Sequence, residues 1–513
     1  MIAIITFWCY IHTDQTRDIP FTMKHPMFNI LTRISLLLAL LFLSCSRPEN
    51  IKDAVLNHRS SFFYVDFKSY PSSDPALPVG VFDSGTGGLS VLADIVQHEG
   101  LAHESYIYMG DLANMPYGSY SLENNTELLI EHVIKDVQFL LGNKYYRSGD
   151  ADSPQTDKKP VKAIVIACNT ATAYALDTVK RFLEEAGSDI GVIGVIDAGA
   201  TGAFGNFSPG EDGSIAVMAT DGTVKSGAYP QAIILKNRND GQEENIRVFQ
   251  QAGIGIAEAI DESPDAIDRK ARAPRSDYKG PNETGSGDMR IDRDLWSRYD
   301  FDLGNGAMLF EGDTSNPRNI QINSVENYIA FHVVSLMEKI RTADGALPLN
   351  SVVLACTHYP FFTETFRNEF KRLRDYRENG EYIYRHLIAE DLILVNPAVE
   401  VADQLYELLA SEQILNEGTG EGCEFYISVP NLSNSQVRLR DDGSFTYDYK
   451  YGRQAGDIQE YIKVVPFSRT SIPGDVLNRL AKQIPEVWDL ITGFNTGNPK
   501  TGYLSPLERI TSE

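Results

Sequence analysis

Cysteine is scarce in this chain, and the cysteines present form no disulfide or metal-binding pattern. Five occur among 513 residues. Cys9 and Cys45 fall in the N-terminal segment, which leaves Cys168, Cys356 and Cys423 for the rest of the chain. A disulfide framework needs several cysteines at characteristic spacings, and a zinc site needs cysteine or histidine pairs a few residues apart. The spacing therefore predicts neither, and Cys423 stands outside any motif.

Positive charge is also in short supply. Lysine and arginine number 46 against 70 acidic residues, which gives a formal net charge of −24. Such a chain is unsuited to binding nucleic acid and poorly suited to anionic membrane surfaces. Hydrophobic residues make up 42% of the sequence, enough for substantial cores, and the length could hold several domains. Length and composition agree with a soluble enzyme.

The apolar run near the N-terminus is too short to span a bilayer. It extends over ten residues from Ile34 to Leu43, follows Lys24 and Arg33, and ends at Ser44-Cys45. A basic flank before a short apolar core is typical of a signal peptide. Cysteine directly after a small residue resembles a bacterial lipoprotein cleavage site. We therefore expect residues 1–45 to be a leader, with Cys45 lipidated and the protein anchored to a membrane.

In that interpretation the polar segment 46–77 is a tether between anchor and enzyme. The alternative is a start codon placed too early, with Met23 or Met27 as the true first residue. The protein would then be cytoplasmic.

Two stretches far apart in the chain repeat one arrangement. Ala163–Thr170 and Ser351–His358 each run an apolar strand into Ala-Cys and then into polar residues. Each is followed by a helical pattern, Ala171–Ala186 and Phe361–Leu373. A cysteine at such a turn faces backbone N–H groups and the positive end of a helix dipole, which favours thiolate. The pair suggests two thiols that face a substrate from opposite sides.

The alternative for each cysteine is a small buried apolar residue. The neighbouring residues favour the functional interpretation, because Asn169, Thr170, Thr357 and His358 place polar groups at the mouth of a strand. Ligands of open α/β sheets bind at that edge.

The spacing of apolar runs predicts an α/β fold. Short predicted strands alternate with helical segments such as Thr126–Leu141 and Val325–Arg341, a rhythm typical of mainly parallel sheets flanked by helices on both faces. The predicted strands are Ala163–Ala167, Val192–Ile196, Ile215–Ala219, Val352–Ala355 and Leu392–Val395.

At the cysteine motifs the chain resembles the glutamate racemases of the aspartate/glutamate racemase superfamily. IACNTA (166–171) and ACTHYP (355–360) are similar to the family's two cysteine motifs. Further similar motifs occur in the same order: VGVFDSGTGGLSVL (79–92), GDLANMPYG (110–118), GVIGVIDAGA (191–200), ATDGTVKSGAY (219–229) and LILVNPAVEVADQL (392–405).

The resemblance implies two pseudo-symmetric lobes with the active site between them. The first lobe would comprise residues 78–209, the second 210–389, and residues 390–513 would return to the first lobe and add a C-terminal extension. The resemblance also implies a homodimer and a small amino acid, glutamate, as substrate.

The chemistry implied by the resemblance is racemisation by two bases without pyridoxal phosphate or another cofactor. Cys168 and Cys356 would remove and return the α-proton on opposite faces, Asp83 would assist the first cysteine and His358 the second. Asp261, or its neighbour Glu262, would be an auxiliary acid where the family commonly has glutamate. The implied substrate-binding residues are Ser84, Pro116, Tyr117, Gly118, Asn169, Thr170, Thr220, Thr223 and Thr357.

Two segments lie outside the resembling motifs. Residues 263–318 include a long polar stretch with almost no core-forming residue, which predicts a mobile surface loop. Asn434–Gln459 alternates apolar residues with charge around Asp441-Asp442-Gly443, which predicts a hairpin.

Two other functions remain open from the sequence. One is a racemase for aspartate or a related substrate, although Pro116-Tyr117-Gly118 favours glutamate. The other is an exported lipoprotein that binds amino acids without catalysis, against which the retained thiols argue.

Overall fold

The computed structural model describes residues 48–208, 210–239, 245–418 and 422–512. The helices and strands of these residues lie in the unit Glu49–Glu513. The predicted leader and Cys45 lie outside the described residues. The strands are β1 (Val79–Asp83), β2 (Tyr106–Gly110), β3 (Ala163–Ile166), β4 (Gly191–Gly194), β5 (Gly213–Ala219), β6 (Ile246–Ala252), β7 (Met308–Glu311), β8 (Arg318–Ile322), β9 (Leu349–Ala355), β10 (Arg377–Glu378), β11 (Glu381–Tyr382), β12 (Ile388–Val395), β13 (Glu424–Pro430) and β14 (Ile462–Pro466).

The α-helices connect these strands and cover the sheets. None in the described ranges is long and apolar enough to cross a bilayer. They are α1 (Ile51–Leu56), α2 (Leu89–Gln97), α3 (Gly118–Leu122), α4 (Thr126–Leu141), α5 (Asn169–Glu185), α6 (Val195–Gly202), α7 (Asp221–Ser226), α8 (Ala228–Asn239), α9 (Ile256–Ile260), α10 (Trp296–Tyr299), α11 (Val325–Thr342), α12 (Thr363–Asp375), α13 (Pro397–Ser411), α14 (Tyr447–Tyr451), α15 (Gly474–Gln483) and α16 (Pro485–Gly497).

The first lobe is built on a sheet in the order β14-β13-β2-β1-β3-β4. Its strands are parallel except β14, which runs antiparallel to β13. Every residue of β1 and β3 is buried. Strands buried on both faces are typical of a parallel sheet sandwiched by helices.

The second lobe contains a sheet in the order β12-β9-β5-β6, with every neighbouring pair parallel. β9 is buried along its whole length. The predicted α/β class, with mainly parallel sheets flanked by helices, is confirmed. Cys168 follows β3 and Cys356 follows β9, so each cysteine lies at the carboxyl end of an inner strand of its own sheet.

The chain returns to the first lobe slightly later than the predicted residue 390. β12 pairs with β9 of the second sheet, so the return comes after Val395. Asn396 fixes the turn: its side chain accepts from Ala398 N at 3.1 Å and donates to Asp94 of α2 at 2.9 Å. α13 then packs against α2 and α6.

The prediction that residues 46–77 form a polar tether is wrong for the part of this segment that the structure describes. Ile51, Ala54, Val55, Phe63 and Val65 are buried in the first-lobe core. These apolar residues are spaced along a polar segment, so the average composition hides them. Residues 49–77 therefore belong to the folded first lobe.

The 263–318 segment is not the predicted mobile surface loop. Its Ile267, Ile291, Tyr299 and Met308 are buried in the second-lobe core, and β7 pairs antiparallel with β8. A few apolar residues spread along the segment bring it back onto the lobe. The 434–459 hairpin is confirmed as a short one: Leu439 and Phe445 form an antiparallel bridge around the predicted turn, and α14 follows.

The C-terminal extension completes the first lobe. β13 and β14 extend its sheet beyond β2, and α15 and α16 bury Leu477, Leu480, Val487 and Ile491 in its core.

Candidate active site

The two cysteine turns are brought together across the lobes. Ser90 of α2, in the first lobe, donates its hydroxyl to Thr357 O at 2.9 Å in the second. A side chain at Gly87 would collide with Thr357 and His358, so glycine permits this close approach. Cys168 and Cys356 are each 6% exposed. The structure thus places both thiols in a largely buried region where the lobes meet.

Cys168 is the N-cap of α5. Its Sγ accepts from Ala171 N at 3.5 Å and its thiol donates to Ser84 Oγ at 3.5 Å. Burial, with a smaller contribution from the Asp83 carboxyl, raises the pKa of Cys168 to about 12. The predicted thiolate is therefore wrong for this cysteine. Desolvation outweighs the helix N-terminus because the charged form loses more from burial than the backbone N–H groups of Ala171 and Ser84 return.

Asp83 ends β1 beside this thiol and is 4% exposed. Burial raises its pKa, although the backbone N–H groups of Gly88 and Gly85 oppose the shift. The Gly85 N–H donates to Asp83 Oδ2 at 3.0 Å. A carboxyl with a raised pKa in this position can carry a proton near Cys168.

Cys356 has a charged neighbourhood instead. His358 Nδ1 lies 3.6 Å from Cys356 Sγ, and His358 Nε2 lies 3.2 Å from Asp261 Oδ2. Burial opposes charge on His358, but Asp261 and Cys356 outweigh it and raise the histidine's pKa well above its usual range. Burial likewise raises the pKa of Asp261, but His358 and Arg479 outweigh it and the net pKa is lowered. The geometry thus favours an imidazolium next to Cys356.

Hydroxyl and amide groups join the two halves of the site. Thr223 Oγ1 lies 3.4 Å from Thr170 Oγ1 and 3.1 Å from Thr220 Oγ1. Asn169 Oδ1 accepts from Tyr229 OH at 2.8 Å. The structure therefore brings the predicted first-lobe residues Asn169 and Thr170 to the second-lobe helices α7 and α8.

The predicted loop 116–118 contains a cis Met115–Pro116 bond, and its members differ in accessibility. Pro116 is exposed and Gly118 half-buried. Tyr117 is 2% exposed, and its hydroxyl contacts Asp111 Oδ2 at 2.6 Å and Asp136 Oδ2 at 2.8 Å. The aromatic side chain therefore anchors the loop within the first lobe.

The same loop meets the second lobe through glycine. A Cβ on Gly222 would lie 2.9 Å from Gly118 Cα, closer than real Cβ contacts allow. Backbone contact between α3 and α7 therefore sets the distance between the lobes here.

Three functional candidates lie beyond the predicted set. Tyr229 closes the ATDGTVKSGAY motif, so the resemblance could have revealed it. Asp136 lies in α4 and Arg479 in α15, both outside the resembling motifs. Their partners are distant in sequence, and no local pattern marks them.

Among the residues that the structure describes, no group of three or more histidine, cysteine, aspartate and glutamate side chains could hold a metal ion. The polar groups at the site are hydroxyls, an amide, and the charged side chains of His358, Asp261 and Arg479. Such groups can hold carboxylates and move protons.

No protein-family model matches the chain. Its similar relatives are glutamate racemases. The Lactobacillus helveticus enzyme is 34% identical over 199 residues, which cover 39% of this chain and 61% of the relative. The Corynebacterium diphtheriae enzyme is 39% identical over 155 residues, 30% of this chain and 47% of the relative. The matches thus span about half to three fifths of the relatives' length.

Solved structures of glutamate racemases also align with the chain. One from Bacillus anthracis aligns with a TM-score of 0.40 and 23% identity, covering 68% of this chain and 87% of the other. One from Francisella tularensis in complex with D-glutamate gives 0.39 and 20%, covering 74% and 95%.

Proposed function

We propose that this protein is a cofactor-independent racemase that interconverts L- and D-glutamate with Cys168 and Cys356 as its two acid–base groups. The observation that carries the proposal is the pair of strand-end thiols, one from each lobe, at the place where the lobes meet. The similarity to glutamate racemases supports the substrate and the reaction.

Inversion at an α-carbon requires removal of a proton on one face and delivery of a proton on the other. In one direction a thiolate takes the α-proton and becomes a thiol, while the opposite thiol protonates the planar carbanion and becomes a thiolate. The reverse reaction exchanges these roles. A raised pKa for Cys168 suits a thiol that waits to donate.

The carbanion is the difficult species, because an α-proton is far less acidic than a thiol. Donors at the substrate carboxylate would delocalise the charge. The side chains available for the two carboxylates and the amine are Ser84, Asn169, Thr170, Thr220, Thr223 and Thr357. The exposed Pro116 and half-buried Gly118 would border the substrate.

The proposed product is D-glutamate for peptidoglycan, and the resemblance implies a homodimer. A racemase for aspartate is the competing substrate assignment. A non-catalytic binding protein is the other alternative.

The test is an assay of the purified full-length chain with L- and D-glutamate in deuterated water. We expect racemisation in both directions with deuterium incorporation at the α-carbon. Glutamine and alanine are the matched controls, because each lacks the side-chain carboxylate. Equal rates with either control would contradict the proposed substrate, and binding without exchange would contradict catalysis. Faster exchange with aspartate would reassign the substrate.

We also propose that Cys45 is lipidated and anchors the protein to a membrane. The proposal rests on the sequence of residues 24–45, with its basic flank, short apolar core and Ser44-Cys45 junction. Each acyl methylene buried in a bilayer contributes about 0.8 kcal/mol, so more than one chain on Cys45 would hold the protein firmly. Fractionation of cells that express the wild type or Cys45→Ala tests it. A soluble wild-type protein that keeps the residues before Cys45 would refute the anchor and leave the racemase proposal intact.

A further inference from the structure

A chain of charged contacts runs from the C-terminal extension to the second cysteine. Arg479 forms an ion pair with Asp261 Oδ1, Asp261 Oδ2 lies 3.2 Å from His358 Nε2, and His358 Nδ1 lies 3.6 Å from Cys356 Sγ. Four side chains in succession thus connect α15 to a thiol of the proposed active site.

The first link of this chain crosses from one lobe to the other. α15 is packed on the first lobe through Leu477 and Leu480. Asp261 directly follows α9, whose Ile256 and Ala259 are buried in the second-lobe core. Arg479 also donates to Ile260 O at 3.4 Å, so it holds both the carboxylate and the adjacent backbone.

The two oxygens of Asp261 have different partners. Oδ1 faces the guanidinium and Oδ2 faces the imidazole. A carboxylate with a cationic partner at each oxygen resists rotation, and it therefore favours one orientation of its histidine. The side chains of Arg479 and Asp261 are only 16% and 26% exposed, so solvent screens this pair less than an ordinary surface ion pair.

We propose that Arg479 is a positioning residue for the second thiol: it fixes the Asp261 carboxylate so that His358 is held against Cys356. This role rests on the proposed function of Cys356 as an acid–base group. It gives the C-terminal extension a part in the chemistry, because α15 supplies a contact that neither cysteine motif contains.

Other charges also face His358 and must be considered together with Asp261. Glu258 of α9 and Asp83 of the first lobe both interact favourably with a charged imidazole. Asp261 and Cys356, however, are the groups that contact its two ring nitrogens. Loss of orientation at Asp261 therefore affects the ring directly, while the more distant charges stay in place.

The ion pair borders a crevice of about 390 Å³ between α15 and the end of α9, and Glu262, Arg269 and Lys482 also line it. Water can enter such a space when the guanidinium is removed. The carboxylate of Asp261 would then be free to turn toward solvent, and its contact with His358 would weaken.

The test compares the alkylation rates of the two cysteines in the same full-length molecule. Iodoacetamide is added at neutral pH and modification of Cys356 and Cys168 is followed by mass spectrometry. Cys168 is an internal reference, since its partners Ser84 and Ala171 do not involve Arg479. In Arg479→Ala and Arg479→Gln we expect the Cys356-to-Cys168 rate ratio to fall about tenfold, because His358 would no longer be held against the Cys356 thiol.

Arg479→Lys is the conservative variant and should restore most of the ratio, because it keeps a cation within reach of Asp261. Lys482→Ala is the matched control, because it removes a neighbouring cation from the same helix and crevice and should leave the ratio unchanged. Circular dichroism and thermal unfolding establish that each variant is folded. If Arg479→Ala does not fold, Arg479→Gln decides.

An unchanged ratio in a folded Arg479→Gln protein would overturn the proposal, and so would an equal fall in Lys482→Ala. The measurement does not require turnover. A fall in the ratio together with no racemisation of glutamate by the wild type would support the positioning role and reject the proposed substrate. A wild type that racemises glutamate, together with an unchanged ratio in Arg479→Gln, would support the proposed substrate and reject the positioning role of Arg479.

Discussion

The two cysteines occupy equivalent places in the two lobes, yet their neighbours differ in kind. Cys168 is surrounded by the Ser84 hydroxyl, a backbone N–H and the Asp83 carboxyl, whose pKa is raised by burial. Cys356 is next to His358, which is paired with Asp261. The first surroundings favour uncharged partners and the second favour charged ones.

The difference shows that the repeated strand-turn-helix arrangement determines the position of each thiol but not its electrostatic surroundings. A backbone pattern can place two thiols at two strand ends, while the side chains of each loop decide which charges lie beside each thiol. The proposed reaction needs one donor and one acceptor at a time, and different surroundings for the two thiols suit that requirement. Variants of either thiol, or of its neighbours, test whether both thiols take part in the proposed reaction.

The largest expected effect comes from removing either thiol. Cys168→Ser and Cys356→Ser should each lower racemisation by roughly 10²–10⁴-fold, the usual contribution of a positioned acid or base. A serine hydroxyl has the geometry of the thiol but a far higher pKa. The assay follows the optical rotation of glutamate in both directions.

Cys423→Ser is the matched control, because Cys423 is also buried but stands beside β13, outside the described site. It should keep near wild-type activity. Full activity in Cys168→Ser or Cys356→Ser would contradict the two-thiol proposal, since the reaction would then need only one thiol.

The fold was largely readable from the sequence because its strands are short apolar runs between helices. Helix α4 was predicted at its observed bounds, and α11 extends only one residue beyond the prediction. One prediction is wrong at its end: the apolar run Val192–Ile196 predicts a strand, but α6 already begins at Val195. Apolar runs do not by themselves distinguish a strand from a buried helix start.

The site was less predictable where its contacts are long-range. Motifs placed Cys168 and Cys356 at strand ends, but the pKa of Cys168 depends on burial, which no motif encodes. Arg479 was missed because it meets Asp261 only after the C-terminal extension has folded back onto the first lobe. The packing of residues 49–77 was missed because their few apolar residues are spaced along a polar segment.

A second experiment alters the surroundings of one thiol at a time. Asp83→Asn should impair proton transfer at Cys168, and Asp261→Asn should impair it at Cys356 through His358. We expect kcat/KM to fall about 10–100-fold in each, less than on loss of a thiol. Because enantiomers have equal free energies in water, the fall must be equal in both directions.

Primary isotope effects then reveal which side is slowed. With α-deuterated L- and D-glutamate, the slowed side becomes rate-limiting for the enantiomer that it deprotonates. The isotope effect should rise for one enantiomer in Asp83→Asn and for the other enantiomer in Asp261→Asn. A rise for the same enantiomer in both variants would contradict the assignment of these carboxylates to opposite faces.

The smallest effect concerns stability, and the two sides should show it in different pH ranges. The folded pKa of Asp83 is raised, so the wild type is most stable, relative to Asp83→Asn, below the ordinary aspartate pKa. That advantage declines as pH rises through the acid range toward the folded pKa.

The folded pKa of His358 is also raised, so the wild type's advantage over His358→Asn is complete below the ordinary histidine pKa. It is lost at neutral to alkaline pH, as the pH passes the folded value. Each tenfold change in proton affinity corresponds to about 1.4 kcal/mol of unfolding free energy. Urea unfolding of the wild type and both variants from acid to alkaline pH measures these differences. Identical pH ranges for the two variants would mean that the two cysteine sites are electrostatically alike, contrary to the distinct neighbours of Cys168 and Cys356.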